Sequence, residues 1–210
     1  MRRRQPLPAM AGRRDVTDVE DLSQAGLGLD SAEQPVPLVA EDDRVVAIGS
    51  LSQTFWAGLS IGWLRIPRST GLRLMSDTAP SAPAQLLAVR LLQAADPAWY
   101  AELRRTLRQR RDLLLDLLAR HLPAWRRHVP HAGLSLWAAL PASESETYAH
   151  LAATHHGVHT TPGTTFCVDR HHLSGLRLSF AQSPRTLETA VDRLTVAWEE
   201  HTRQLAAGLG

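Results

Sequence analysis

Short apolar runs bounded by glycine, serine and proline mark the first third of the chain. Val45–Ile48 is followed by a Gly-Ser pair, and Trp63–Ile66 is followed by Pro67. Runs of four residues with such boundaries predict buried strands rather than helices. A third, shorter strand is predicted over residues 16–19, and the polar residues 24–43 are expected to form a loop.

Helical periodicity dominates the rest of the chain. Gln85–Ala95 is apolar along most of its length and predicts a buried helix, whereas the preceding prolines interrupt a short helix expected over residues 68–75. Trp99–Leu122 is the clearest amphipathic helix, and Pro123 ends it. The last helix begins at Ser183-Pro184, a serine cap followed by a first-turn proline, and its apolar face comprises Leu187, Val191, Leu194 and Trp198.

Between these two helices the pattern predicts strands at Gly133–Leu140 and Gly175–Phe180. They flank a helix over Glu144–His156, which Gly157 is expected to stop. The resulting order of strands and helices indicates a mixed α/β chain.

The charge balance argues against several classes of partner. With 23 basic and 21 acidic residues the net charge is +2, so nucleic acid binding is not expected. The arginines at 104, 105, 108, 110 and 111 are interpreted as a solvated helix face. No apolar run reaches the ~20 residues of a membrane span, and no signal peptide is visible. The single cysteine, Cys167, fits a reducing cytoplasm.

The loop between the first two apolar runs carries candidate chemistry. Ser50, Ser52, Gln53 and Thr54 supply side-chain donors and acceptors, and glycines at 58 and 62 leave backbone N–H groups accessible. Such a loop is suited to hold a phosphate. A polar hairpin without a ligand is the alternative.

This stretch resembles the cofactor-lysine segment of fold-type I, pyridoxal-phosphate-dependent aminotransferases. The greatest similarity is to the aminotransferase-like domain of MocR-type regulators of the GntR family, whose segment reads Ser-x-Ser-Lys-Thr-x-x-x-Gly-Leu-Arg-x-Gly. The residues that match this pattern are Ser50, Ser52, Thr54, Gly58, Leu59 and Gly62. The resemblance implies an α/β fold: a remnant of the large domain followed by the α+β C-terminal small domain.

Two departures from the family pattern change the expected chemistry. Gln53 replaces the lysine that forms the Schiff base, and Ser60 replaces an arginine that pairs with the phosphate. A glutamine amide is not a nucleophile, and the chain contains no lysine that could substitute. We therefore expect no catalytic residue at position 53, and pyridoxal phosphate bound non-covalently and weakly if it is bound.

The resemblance also implies roles outside the loop. Asp21 matches the aspartate that pairs with the pyridine nitrogen, and Arg177 matches the arginine that binds the substrate carboxylate. The implied cofactor contacts are Asp21, Ser50, Ser52 and Ser60. From the residues alone, Asp21 could equally be a turn acid and Arg177 an alternating strand arginine.

Histidines cluster late in the chain, but without the spacing of a metal site. His155 and His159 are separated by Gly157, which interrupts a shared helix face, and His171 and His172 have no carboxylate at ligand spacing. A zinc site is not expected.

The expected organisation is a partial cofactor-binding domain over residues 1–75, an interdomain segment over 76–98, and a small domain over 99–205. The winged helix and roughly the first half of the family's large domain have no counterpart, so we expect a truncated, degenerate domain that cannot transaminate. Weak binding of an amino-acid-like ligand or of protein is compatible with this prediction. The alternatives are an aminotransferase active only with a partner chain that supplies the missing half, and a gene fragment without a selected function. The partners considered are a second copy of the chain, in a homodimer, and a complementing N-terminal half.

Overall fold

A computed structural model describes residues 17–30, 36–68, 79–142, 144–169 and 173–208. The chain divides into two compact units, residues 1–101 and 102–210, here called the N-terminal and C-terminal units. The finer division at residues 75 and 98 stays a prediction. The basic N-terminal segment and most of the helix expected over 68–75 lie outside the described residues.

The N-terminal unit contains a three-stranded sheet in the order β1-β2-β3. Strands β1 (Val19–Asp21) and β2 (Val46–Ser50) are parallel, with Asp21 opposite Ile48. Strand β3 (Gly62–Arg65) pairs antiparallel with β2. This mixed sheet confirms the α/β class.

Strand β3 is less buried than predicted. Trp63 and Leu64 are 45% and 38% exposed, although a buried strand was expected. The strand forms an edge of the sheet, so one of its sides has no neighbouring strand within the described part of the chain.

The described parts of the segment between β1 and β2, residues 22–30 and 36–45, contain buried residues and a helix where a loop was expected over 24–43. Leu27 and Leu29 are fully buried, and helix α1 (Leu38–Glu41) follows. The Val39 N–H donates to Glu20 Oε2 at 3.0 Å, which joins the buried Glu20 of β1 to this helix. The loop prediction depended on turn residues within the segment and did not include this contact with a side chain of β1.

Helix α2 (Ala82–Ala94) begins earlier than expected and is largely exposed. Ser81 caps it, because its Oγ accepts from the Ala84 N–H at 3.4 Å. Leu86, Val89 and Leu92 are at least half exposed, and within the described residues Ala88 is the buried member of the helix. The prediction that this helix is buried was wrong, because an apolar composition does not ensure that other elements cover the helix.

The C-terminal unit is built on a four-stranded antiparallel sheet in the order β4-β5-β7-β6. Long helix α3 (Pro97–His121) precedes it, and helices α4 (Ser145–His156) and α5 (Pro184–Ala206) are inserted after β5 and β7. The strands are β4 (Arg126–His128), β5 (Ser135–Ala139), β6 (Thr161–Pro162) and β7 (Gly175–Ser179). Strands β4 and β6 were not predicted.

Helix boundaries in this unit follow the sequence signals. Gly157 ends α4 in the left-handed conformation with φ of 66°. Ser183 Oγ accepts from the Thr186 N–H at 3.2 Å and so caps α5. The helices of the described chain include none long and apolar enough to cross a membrane.

The core of the C-terminal unit joins helices to one face of the sheet. It contains an aromatic cluster in which Trp125, Tyr148 and Trp198 meet edge to face at centroid distances of 5.4–5.5 Å. The Tyr148 hydroxyl donates to the Leu194 carbonyl at 2.8 Å, and burial raises the pKa of this phenol. The main aliphatic members of the core are Leu107, Leu114, Leu118, Leu136, Leu176, Leu178, Leu187, Val191 and Leu194.

The arginine run of α3 is not a uniformly solvated face. Arg111 is 6% exposed and donates to the Pro130 carbonyl at 2.9 Å and to Asp112. Arg110 donates to the Ala181 carbonyl at 2.7 Å. These two arginines hold connecting segments to the helix, which their spacing in the sequence does not show.

Two valines on α5 offer a matched test of the core. Val191→Ala removes two methyl groups from a fully buried site and should lower the free energy of unfolding by about 1.5–3 kcal/mol. Val196→Ala, at a half-exposed site on the same helix, should change it by no more than ~0.5 kcal/mol. Guanidinium unfolding followed by tryptophan fluorescence measures both, and equal losses would contradict the assigned helix face.

His201 makes stability depend on pH. It is 1% exposed, and burial lowers its pKa below the ordinary 6.5, partly offset by Glu144 at 3.6 Å. The unfolded chain then binds a proton near pH 6.5 that the folded chain does not, so the free energy of unfolding should fall as pH drops below about 6.5. His201→Gln should reduce this fall between pH 7.5 and 5.5; an undiminished fall in the variant would contradict the assignment.

Candidate functional site

The loop after β2 is closed by its own backbone. The Leu51 N–H donates to the Ile61 carbonyl at 2.9 Å, and the Leu51 carbonyl accepts from the Phe55 N–H at 2.9 Å. Ser50 Oγ accepts from the Ser52 N–H at 3.2 Å. Two of the predicted phosphate contacts, Ser50 and Ser52, are therefore already joined to each other within the turn.

Gln53 and Ser60 are both exposed in this loop. Gln53 lies in the turn that follows β2, and Ser60 follows the short 3-10 helix Ala57–Leu59. Ser60 has φ of 50° and ψ of 37°, a left-handed conformation that is unfavourable for a residue with a side chain. The local backbone thus places a strained serine at the position where the family pattern has arginine.

Aromatic rings flank the loop within the N-terminal unit. Phe55 stacks on Trp99 with centroids 5.1 Å apart, and Trp99 meets Tyr100 edge to face at 5.0 Å. Trp56 is 59% exposed and covers Gly58 so closely that an added Cβ there would overlap its ring. A side chain at position 58 would therefore require the Trp56 ring to move.

Asp21 ends β1 at the same edge of the sheet at which β2 ends in Ser50. The two strands are parallel and paired in register, so their carboxyl ends lie side by side. Hydrogen bonds from the Ser23 hydroxyl and N–H, the latter 2.8 Å long, lower the pKa of the exposed Asp21 carboxyl. Asp21 is therefore an exposed, ionised carboxylate at the end of β1, and its role as a cofactor contact stays a prediction.

Arg177 occupies a structured position on the exposed face of β7. It pairs with Trp137 of β5 on one side and Thr161 of β6 on the other. Its guanidinium lies 4.8 Å from the Phe166 ring centroid, and Nη2 donates to Thr161 Oγ1 at 3.3 Å. Within the described residues no carboxylate forms an ion pair with Arg177, so the guanidinium can accept an anionic partner.

Trp137 and Phe166 are the residues that the sequence analysis missed. Their rings meet at 6.0 Å, and Trp137 also covers Gly175, where an added Cβ would overlap the indole. Trp137 is paired with Arg177 across β5 and β7, which puts both side chains on one face of the sheet. Phe166 reaches the same face from the 3-10 helix Gly163–Phe166, a contact that strand alternation in the sequence does not indicate. Asp21 and the loop belong to one unit and Arg177 to the other, so their meeting in one site stays a prediction.

The described ranges of the chain contain no group of three or more metal-ligating side chains. His155 and His156 instead share Glu200, with contacts of 3.0 and 2.8 Å that hold α4 to α5. His171 and His172 lie outside the described residues.

The protein-family model described as aminotransferase class I and II matches residues 21–194 of the sequence. The chain belongs to this family. Its matched segment includes the loop after β2 and the strand that carries Arg177. The predicted resemblance to fold-type I aminotransferases is thereby confirmed.

Named relatives include regulators as well as enzymes. An uncharacterized HTH-type transcriptional regulator of Bacillus subtilis, YdfD, is 26% identical over 86% of this chain and 39% of its own length. A kynurenine/alpha-aminoadipate aminotransferase of Rattus norvegicus is 28% identical over 91% of this chain and 48% of its own length. The likeness to MocR-type regulators is confirmed, and the chain spans about half the length of these relatives or less.

Solved structures support the fold. The alpha-aminoadipate aminotransferase LysN of Thermus thermophilus superposes with a TM-score of 0.82 at 24% identity, covering 94% of this chain and 54% of that one. An archaeal alanine:glyoxylate aminotransferase gives a TM-score of 0.83 at 25% identity, over 94% of this chain and 51% of that one.

The residues present do not fit a covalently held pyridoxal phosphate. Gln53 offers an amide, the 210-residue chain has no lysine, and Ser60 offers a hydroxyl in a strained turn where the family has a guanidinium. What remains compatible with the cofactor is the Asp21 carboxylate and the Ser50–Ser52 turn. No reaction step is therefore derived through this cofactor.

The strained turn at Ser60 can be tested by glycine. Ser60→Gly removes the side chain that disfavours positive φ and should raise the free energy of unfolding by up to about 1 kcal/mol. Ser50→Gly, in the extended end of β2, should instead lower it by about 0.5–1 kcal/mol. Denaturant unfolding measures both, and destabilisation by Ser60→Gly would contradict the left-handed conformation.

Proposed function

We propose that this chain is a degenerate aminotransferase-like segment of MocR type, which cannot form the internal Schiff base and does not transaminate. The observation that carries the proposal is Gln53 in the turn after β2, in a chain without lysine. Its retained capacity is non-covalent binding of a small ligand, in keeping with relatives that are named as transcriptional regulators.

The chemistry of position 53 supports the loss of activity. Imine formation with an aldehyde needs a nucleophilic amine, and a desolvated lysine supplies one. The nitrogen of a glutamine amide is delocalised into its carbonyl and cannot perform this attack. The arginines cannot replace it, since a guanidinium stays protonated in proteins.

Phosphate binding is weakened independently of the Schiff base. A charge-assisted hydrogen bond from arginine to phosphate contributes roughly 1.5–3 kcal/mol, and Ser60 cannot make one. Ser50, Ser52 and the loop N–H groups offer neutral donors, and Asp21 offers a carboxylate. We expect pyridoxal phosphate, if it binds, to be held weakly and without a covalent bond.

Arg177 supports a carboxylate ligand in the same role that the family pattern implies. Its guanidinium is held between Thr161 and Phe166 and has no carboxylate partner within the described residues. A planar fork of N–H donors suits a carboxylate. An amino-acid-like molecule is therefore the proposed ligand class.

A second candidate function is an aminotransferase that becomes active only with a complementing N-terminal half. The apolar surface of the N-terminal unit favours it, because Trp56, Leu86, Val89 and Leu92 are at least half exposed. Co-expression with a reading frame that encodes the absent half, followed by a transaminase assay, tests this alternative. Activity of the mixture, with the reducible cofactor adduct on the added chain, would favour it over the first proposal.

A restoration experiment tests the first proposal. The wild-type chain is titrated with pyridoxal phosphate, reduced with borohydride and mapped by peptide mass spectrometry, and we expect no adduct in the Ser50–Ser60 loop. Gln53→Lys combined with Ser60→Arg should acquire an imine absorption band and a reduced adduct at position 53.

Gln93→Lys combined with Ser60→Arg is the matched control, since it adds a lysine at an exposed helix position. An adduct on residue 53 at much lower cofactor concentration than on residue 93 supports an inherited cofactor cradle. Equal labelling of both lysines would contradict the cradle, and a reducible adduct in the wild-type loop would overturn the proposal.

A further inference from the structure

A cavity of about 480 Å³ opens in the C-terminal unit on the helix side of the sheet. Its volume lies within the roughly 300–1,000 Å³ of small-molecule sites. The floor is apolar and comes from three elements, with Leu114 of α3, Leu178 of β7, and Leu187, Val191 and Leu194 of α5. Arg177 does not line this cavity.

The rim of the cavity is cationic. Arg185 and Arg193 line it from one stripe of α5, with Thr189 between them, and the two arginines are separated by eight residues, or about 12 Å along the helix. The acidic residues of the same turns, Glu188 and Asp192, do not line the cavity. The helix thus presents its positive charges to the cavity and its negative charges elsewhere.

Both rim arginines lack an internal counter-ion. Within the described residues no hydrogen bond or ion pair involves the guanidinium of Arg185 or Arg193. Arg110 and Arg111 of α3 show the contrast, since each of them donates to a backbone carbonyl. Exposed guanidinium groups beside an apolar cavity favour an anion that brings its own apolar body.

The cavity wall also contains a polar atom without a partner. Thr160 lines the cavity, and its Oγ1 is buried without a hydrogen bond inside the described structure. Buried hydroxyl groups are normally hydrogen-bonded, so this one calls for a water or a ligand atom. It adds a hydroxyl donor to the two arginine forks.

We propose that this cavity binds a small amphipathic carboxylate, with its hydrocarbon part on the leucine and valine floor and its carboxylate among Arg185, Arg193 and Thr160. The site is distinct from the one proposed at Arg177, because β7 buries Leu178 on one face and exposes Arg177 on the other. The proposal does not depend on cofactor binding at the Gln53 loop.

The test uses the full 210-residue chain and octanoate as the probe, with 1-octanol as an uncharged probe of equal chain length. Isothermal titration and ¹⁵N chemical-shift perturbation measure the affinity and the location. We expect saturable octanoate binding at least about tenfold tighter than that of octanol, with shifts at residues 157–160 and in the first half of α5.

Variants separate this site from other basic positions. Arg185→Gln and Arg193→Gln should each weaken octanoate binding by about tenfold, because each removes a guanidinium beside the carboxylate. Thr160→Val should weaken the binding less. Arg203→Gln, at an exposed position further along α5, should leave the affinity unchanged. Denaturant unfolding of each variant verifies that it is folded.

Several results would overturn the proposal. They are equal affinity for octanol and octanoate, binding that does not saturate, and octanoate binding that is unaffected by both Arg185→Gln and Arg193→Gln. Octanoate-induced shifts around Arg177 and Phe166 without shifts in α5 would assign the carboxylate to the other face of the sheet and would also overturn it.

Discussion

The alternation of side chains along β7 determines the organisation of the C-terminal unit. Leu176 and Leu178 point to one face and are buried, whereas Arg177 lies on the other face and is exposed. Because successive strand residues point to opposite faces, helices cover the leucines while the arginine remains available. A one-residue change of register would exchange the two faces, exposing the leucines and turning Arg177 toward the helices.

Aromatic and hydroxyl groups, rather than a carboxylate, hold Arg177 on the exposed face of this sheet. Trp137, Phe166 and Thr161 surround the guanidinium, and Gly175 leaves room for the indole. Aromatic and hydroxyl contacts orient a cation without neutralising it, so its charge remains for a ligand. The geometry is that of a prepared binding group, whether or not any reaction takes place there.

The N-terminal unit keeps the backbone of the family's loop and changes its chemistry. The hydrogen bond from Leu51 to Ile61 closes the loop without any contribution from the side chain at 53, so lysine can be replaced by glutamine without loss of that closure. The loop glycine at 58 is likewise explained by the packing of Trp56. The loop is therefore organised by backbone hydrogen bonds and by Trp56, and the side chain at position 53 is exposed.

Signals that act within a few residues were the reliable part of the prediction. Ser183 and Gly157 bound their helices as expected, because a cap depends on a hydrogen bond or a dihedral angle of adjacent residues. The apolar stripe of α5 and the residue types at 21, 53 and 177 could also be read from the sequence.

The burial of individual elements could not be predicted from the sequence. Strand β3 and helix α2 have the composition of core segments but are exposed, whereas Arg111 has the character of a surface residue but is buried. Whether a side chain is covered depends on which distant elements reach it, and neither periodicity nor composition contains that information. For the same reason the unpaired arginines of α5 and the cavity beside them emerged from the packing of α3, α5 and β7, whereas the absence of a lysine was decided by the order of residues alone.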